Sequence, residues 1–258
     1  MVERHPWTTA AGTETVTGLT NVVTRPDALG RGLCSRLIAE VHQRERAAGR
    51  SVAMLWTRRS WSAHRLYERL GYRDVYAHTS AVRRIGRGRG PRAGYATRTA
   101  RPSDAAALES ILARATRGRF GFVPRFPHSY RTRFALGYRT PQEVHLVHHR
   151  SRPVSYFSAS EGPAHVTVIE SAAARAEERE PLLDAIERHS SGRWLAFGHS
   201  TIVDDLLPLL RERGYTVYRG SHATLMARSL VGPPASILPA VRRTVSDPRF
   251  WCQRGDMF

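Results

Sequence analysis

A chain of 258 residues can bury a sizeable core in one or two domains. It has no run of the roughly 20 apolar residues that a membrane-spanning helix needs, no signal-peptide core in MVERHPWTTAAG, and only Cys34 and Cys252 as cysteines, which rules out a disulfide framework and a thiolate zinc site. The formal charge of +18 comes from 40 basic side chains that are all arginine and are spread along the chain, so they read as solvated surface and not as a nucleic-acid footprint; a reducing cytoplasm is the expected compartment.

In chain order, TETVTGLTNVVT (13–24) is rich in threonine and valine and predicts a strand. A glycine turn follows in TRPDALGRGLCSRLI (24–38), and Leu33, Leu37, Ile38 and Val41 then recur at helical spacing up to about Gly49. SVAMLW (51–56) predicts a buried strand, SAHRLYERLG (62–71) a short helix stopped by Gly71, and YRDVYAHTSAV a further strand. RRIGRGRGPRAG (83–94) holds four glycines and a proline without aromatics and reads as a linker, placed at 86–93.

Beyond it, RPSDAAALESILARA (101–115) predicts a helix opened by Ser103 or Asp104. EVHLVHH and PVSYFSAS predict a strand pair, HVTVIESA a third strand, EEREPLLDAIERH a helix and RWLAFGHS another strand. VDDLLPLLRERGY then parallels SAHRLYERLGY, since both are short helices ending in Arg-x-Gly-Tyr. The reading is an α/β (α+β) chain with a mixed sheet and two copies of one plan: 1–85, then 94–230, then a tail at 231–258. Three prolines in VGPPASILPAVRR (231–243) predict an extended strap there.

A glycine-rich turn between strand and helix leaves backbone N–H groups pointing outward with the helix dipole behind them, which suits a phosphate. The Gly30–Arg31–Gly32 pattern alone favours a plain turn over a ligand cradle, and a dinucleotide fingerprint would need a third glycine and a later acid, neither of which stands in the right place here. HVTVIESAAARAEERE has no such glycines, and Glu177, Glu178 and Glu180 would repel a pyrophosphate, so the second copy is expected to hold no such ligand.

VVTRPDALGRGLCSRLI resembles the acetyl-CoA-binding motif of the GCN5-related N-acetyltransferase (GNAT) superfamily, with Pro26, Gly30, Arg31 and Gly32 at matching places. AHRLYERLGY (63–72) is similar to the later helix of that superfamily, which usually ends Leu-Tyr-Glu-x-Leu-Gly-Phe. Leu29 and Cys34 depart from the pattern, standing where Arg or Gln and Gly or Ala are usual. The two-copy plan most resembles the Eis-like bacterial acetyltransferases, in which an active copy precedes a degenerate one. By that resemblance the first copy is incomplete, because strands and helices that ordinarily precede the phosphate-binding strand have no counterpart in the dozen residues before it.

The resemblance implies acetyl transfer from acetyl-CoA, as co-substrate, to the primary amine of a small molecule or peptide by direct attack. It assigns cofactor contacts to Val22, Val23, Thr24, Gly30, Arg31, Gly32, Leu33, Cys34 and Ser35, chiefly through backbone N–H groups, with an oxyanion donor near Val22 or Val23. Tyr67 matches the tyrosine acid that protonates the departing thiolate; the alternative is a core tyrosine on a helix face. No carboxylate lies on the strand 15–24, and Glu14 is at its far start. In the Eis-like enzymes the C-terminal carboxylate reaches the site, which implies the same role for Phe258 at the end of FWCQRGDMF. The other reading is a catalytically inactive acyl-CoA- or partner-binding module, and a homo-oligomer is left open.

No metal site is expected: His145, His148 and His149 share one strand, where His148 and His149 face opposite sides. His64 is expected to face solvent. Trp56 and Trp61 suit either a substrate pocket or core packing.

Overall fold

The computed structural model describes residues 1–86, 90, 92–122, 129–135, 140, 143–198, 202–233 and 235–252. The chain opens with an antiparallel hairpin, β1 (Val2–Thr9) and β2 (Gly12–Leu19), then α1 (Leu33–Ala47), β3 (Val52–Thr57), α2 (Ser62–Arg69) and β4 (Arg73–Arg84). The second half runs β5 (Tyr95–Thr99), α3 (Ala105–Ala115), β6 (Phe120–Gly121), α4 (Ser129–Ala135), β7 (Val144–His149), β8 (Arg152–Glu161), β9 (His165–Ala173), α5 (Arg179–His189), β10 (Trp194–Phe197), α6 (Ile202–Glu212) and β11 (Thr216–Ser229). The tail forms α7 (Leu238–Ser246) and β12 (Phe250–Trp251).

Among the described residues the strands join one mixed 12-stranded sheet in the order β12-β6-β1-β2-β3-β11-β4-β10-β9-β8-β7-β5. The halves interlock. The end of β11 (Thr224–Ser229) lies between β3 and the start of β4, while the end of β4 (Ala81–Arg84) pairs with β10. The last strand of the second half thus completes the sheet of the first.

Alternation along these strands separates two faces. Val52 and Met54 of β3, with Leu225 and Ala227 of β11, join Leu238, Val241 and Val245 of α7 in one cluster. Ala53, Leu55 and Met226 point the other way, to Ile38 of α1 and Tyr67 of α2. In the second half, α3, α5 and α6 contribute Leu108, Ile111, Leu182, Ile186, Leu206 and Leu210 to a larger cluster with β7–β10.

Three expectations are corrected. The strand expected over 13–24 stops at Leu19, and Asn21 takes a left-handed φ of 50° as the chain leaves the sheet. The first dozen residues are not a bare lead-in but hold β1, which buries Trp7. Finally, the proline-rich tail is not an extended strap throughout, because α7 begins with Pro239 in its first turn, where a missing N–H costs no helix bond.

Candidate functional site

The site begins where two parallel strands part. β2 and β3 pair at only two positions, Thr17 opposite Ala53 and Gly18 opposite Met54. Beyond them β3 keeps β11 as far as Thr57, while the chain after Leu19 turns away. Among the described residues, Leu55–Thr57 therefore have no strand partner on the β2 side.

The diverging chain passes a short turn at Pro26–Ala28 and enters α1 through Gly30 (φ 74°) and Gly32 (φ 70°), the helix N-cap. Side chains other than glycine rarely adopt such φ values. A Cβ at either position would meet nothing within 4 Å, so the space above the turn is open. Among the described residues no side chain caps α1, and no acid lies in its first turn. Arg36 is the first residue whose N–H bonds back, to the Gly32 carbonyl at 3.1 Å. The N–H groups of Leu33, Cys34 and Ser35 are therefore left outside the helical ladder, with the dipole behind them. Exposed Arg31 adds a positive side chain beside this anion-ready turn.

Next to it lies a mostly apolar cavity of about 440 Å³, walled by Asn21–Arg25 on one side and by Leu33, Cys34, Leu37, Ile38 and Val41 on the other. It brings together five of the expected cofactor residues, Val22, Val23, Thr24, Leu33 and Cys34. Gly30, Arg31, Gly32 and Ser35 belong to the adjoining turn and first helical turn.

Tyr67 reaches the same cluster as Val22 and Cys34 from α2 and is buried. Burial, and then the neighbouring Cys34, raise its pKa, so its hydroxyl keeps its proton. Burial raises the Cys34 thiol as well. Beneath, His42 Nε2 meets the Tyr72 hydroxyl at 2.8 Å and ties α1 to the segment after α2. Burial and the charges of Arg228 and Arg46 push His42 down to about 4. His64, expected in solvent, is buried, with Nε2 3.0 Å from Asp74 Oδ1; it serves the junction of α2 with β4. Glu14 accepts from the Ser51 hydroxyl at 2.8 Å and takes no part in the parted strands.

On the opposite face, the open edge of β3 carries Trp56, stacked on His78 at 4.4 Å and set edge-on to Tyr76. Tyr76 borders a second cavity, of about 520 Å³, with Thr79, Asp204, Asp205, Arg219, Asp247 and Phe250 among its walls. Asp205 pairs with Arg119 and Arg179, and Asp247 with Arg249. Asp204 accepts from the Thr79 hydroxyl at 2.7 Å and the Tyr76 hydroxyl at 3.4 Å and meets no arginine among the described residues. Burial and Asp204 hold the Tyr76 phenol well above its ordinary range.

Sequence reading missed Asp204, Tyr76 and His78. The alternation of YRDVYAHTSAV was the one available signal for the latter two, and none pointed to Asp204. The rings of Phe250 and Trp251 are buried as the tail folds back, but Phe250 packs on Trp7 and Tyr76, across the sheet from Tyr67 and not toward it. Phe258 lies outside the described residues. Trp61 is exposed under the guanidinium of Arg58. His148 sits beside Arg98 and Asp104, and His149 stacks on Tyr95, both apart from His145.

Residues 8–82 match the family described as FR47-like protein. No curated protein matches the chain in sequence. Among solved structures the chain is similar to a GCN5-related N-acetyltransferase from Kribbella flavida, at 20% identity over 90% of this chain and 56% of that one, with a TM-score of 0.62. A GCN5-related N-acetyltransferase from Anabaena variabilis ATCC 29413 gives 19% identity over 89% and 59%, with a TM-score of 0.59. Eis1 from Mycobacterium abscessus gives 20% identity over 87% and 59%, with a TM-score of 0.57. The chain thus spans less than three fifths of the length of each of these three.

Proposed function

Because the chain has the fold of the GCN5-related N-acetyltransferases, we propose that it moves an acetyl group from acetyl-CoA to a primary amine by direct attack. The observation that carries this reading is the parting of β2 from β3 beside an uncapped, glycine-led helix start. The pyrophosphate is cradled by N–H groups at Gly30–Ser35, with Arg31 alongside. The pantetheine arm lies along Val22–Thr24 in the apolar cavity, so that the thioester enters the gap between the strands. A backbone N–H near Val22 or Val23 stabilises the oxyanion, and Tyr67 protonates the leaving thiolate.

The amine approaches from the other face, past Trp56, His78 and Tyr76. Asp204 suits an ammonium group there, since among the described residues this carboxylate is met only by hydroxyls. A base must take a proton from that ammonium before attack. Phe258 follows Cys252 by six residues, about 20 Å of extended chain, and Phe250 already borders this cavity; its terminal carboxylate is the base in this reading.

The one carboxylate of β2, Glu14, lies toward the end away from the parting and accepts from Ser51, which supports a second reading, an acyl-CoA-binding module without turnover. Calorimetry with acetyl-CoA, paired with thiol release in the presence of a panel of amines, decides between them. Binding with thiol release supports transfer, binding without release for any amine supports the module, and no binding refutes both.

A further inference from the structure

His145, Glu161 and His189 meet from three elements of the second half: the strand β7, the last residue of β8 and the last residue of α5. One ligand atom from each lies within 4.8 Å of the other two. His189 Nε2 is 2.9 Å from Glu161 Oε1, and the two imidazole centroids are 4.2 Å apart. His145 is 9% exposed and stacks on Phe157 at 4.7 Å, yet its Nε2 has no hydrogen-bond partner among the described residues. Buried polar atoms are rarely left so, and each one needs a reason.

Arg193 Nη1 donates to Glu161 Oε2 at 2.7 Å and leaves Oε1 facing His189 Nε2. Such a charged donor on the distal oxygen is the kind of contact that orients a ligating carboxylate. The carbonyl end of α5, where His189 stands, also favours a cation.

We propose that His145 Nε2, His189 Nε2 and Glu161 Oε1 form a site for one divalent cation of the zinc class, open to solvent at a fourth position on the side of half-exposed Glu161. Two imidazoles and one carboxylate suit Zn²⁺ or Co²⁺ better than the oxygen-seeking Mg²⁺ or Ca²⁺. Metal–ligand distances of about 2.0–2.2 Å place tetrahedral ligand atoms a little over 3 Å apart, which the three side chains reach by small rotations. The ion would fasten the end of α5 to β7 and β8. It is independent of acetyl transfer, because none of the three residues lines either cavity of the candidate site.

The test uses the untagged full chain, stripped with a chelator and titrated with Co²⁺ and then Zn²⁺. The expected result is one Co²⁺ per chain with visible absorption bands of a low-coordinate centre, its displacement by Zn²⁺, and a melting temperature raised by Zn²⁺. His145→Gln and Glu161→Gln should each weaken Co²⁺ binding at least tenfold, whereas His149→Gln should leave it unchanged. If His145→Gln does not fold by circular dichroism, Glu161→Gln at its more exposed position decides alone. No Co²⁺ binding by the unaltered chain, or undiminished affinity in the folded variants, overturns the site.

Discussion

Two strand-to-helix junctions in this molecule differ in what they leave open. Between β2 and α1 the turn is led by Gly30 and Gly32, and no side chain caps the helix. Between β9 and α5, a short turn at Ala176–Glu178 folds Glu178 back so that its Oε2 accepts the Arg175 N–H at 2.9 Å. Glu178 is buried, and burial raises its pKa. One helix start offers free donors to an anion, and the other is occupied by the chain's own acid. A few side chains at a junction decide whether its donors stay open to an anion, because the donors and the dipole are common to every helix start.

The largest effect should come from spoiling the open junction. Gly32→Asp places a side chain at φ 70° and a negative charge beside the donors. Acetyl-CoA affinity should fall at least 100-fold by calorimetry, with the circular dichroism spectrum retained. The unaltered chain should bind one equivalent, and Glu178→Gln in the closed junction should leave that stoichiometry unchanged. A second equivalent in either protein would break the comparison.

Tyr67→Phe keeps the buried ring and removes only the proton donor. Turnover should drop about 100-fold, at the lower end of what a general acid contributes, while acetyl-CoA affinity stays within twofold. Equal losses in binding and turnover would make Tyr67 a packing residue. On the other face, Asp204→Asn removes the charge and keeps the shape. The KM for the amine should rise about tenfold, the scale of a charge-assisted hydrogen bond, with acetyl-CoA binding untouched.

The smallest effect compares one buried histidine from each half. His42 and His145 each have a folded pKa of about 4 against an ordinary 6.5. The unfolded chain therefore takes up protons first as pH falls. This stability is fully present above about 6.5 and is lost progressively toward 4. At pH 5.5 the loss is roughly 1 kcal/mol for each group. Melting of metal-free chain at pH 7.5 and 5.5 should show the drop, and His42→Gln should shrink it by about half. An unchanged drop would show that His42 titrates as an ordinary imidazole.

Much of the molecule is legible from local pattern. The apolar spacing of Leu33, Leu37, Ile38 and Val41 marked α1, and Ile38 is indeed its buried anchor while Leu37 faces the cavity. The threonine- and valine-rich run before the glycines marked β2 but overran its end, because composition does not register the left-handed Asn21. The residues expected to contact the cofactor, 22–24 and 30–35, come from one continuous stretch of sequence, and the structure keeps that stretch together around one cavity and the adjoining turn. Asp204 was not readable. It lies 125 residues from Thr79, and only the packing of α6 on β4 joins them.

By itself, then, the sequence determined which segments are helices and strands over most of the chain, and where a strand hands over to a helix through glycine. Periodicity of 3.6 or 2 is a property of neighbours along the chain, so it survives without any knowledge of the fold. Only the tertiary structure decided that β11 slots between β3 and β4, that α7 covers the face opposite Tyr67, and that His145, Glu161 and His189 converge. Periodicity says that a face is buried but not against which partner; that choice rests on long-range packing and strand pairing, which no local window contains.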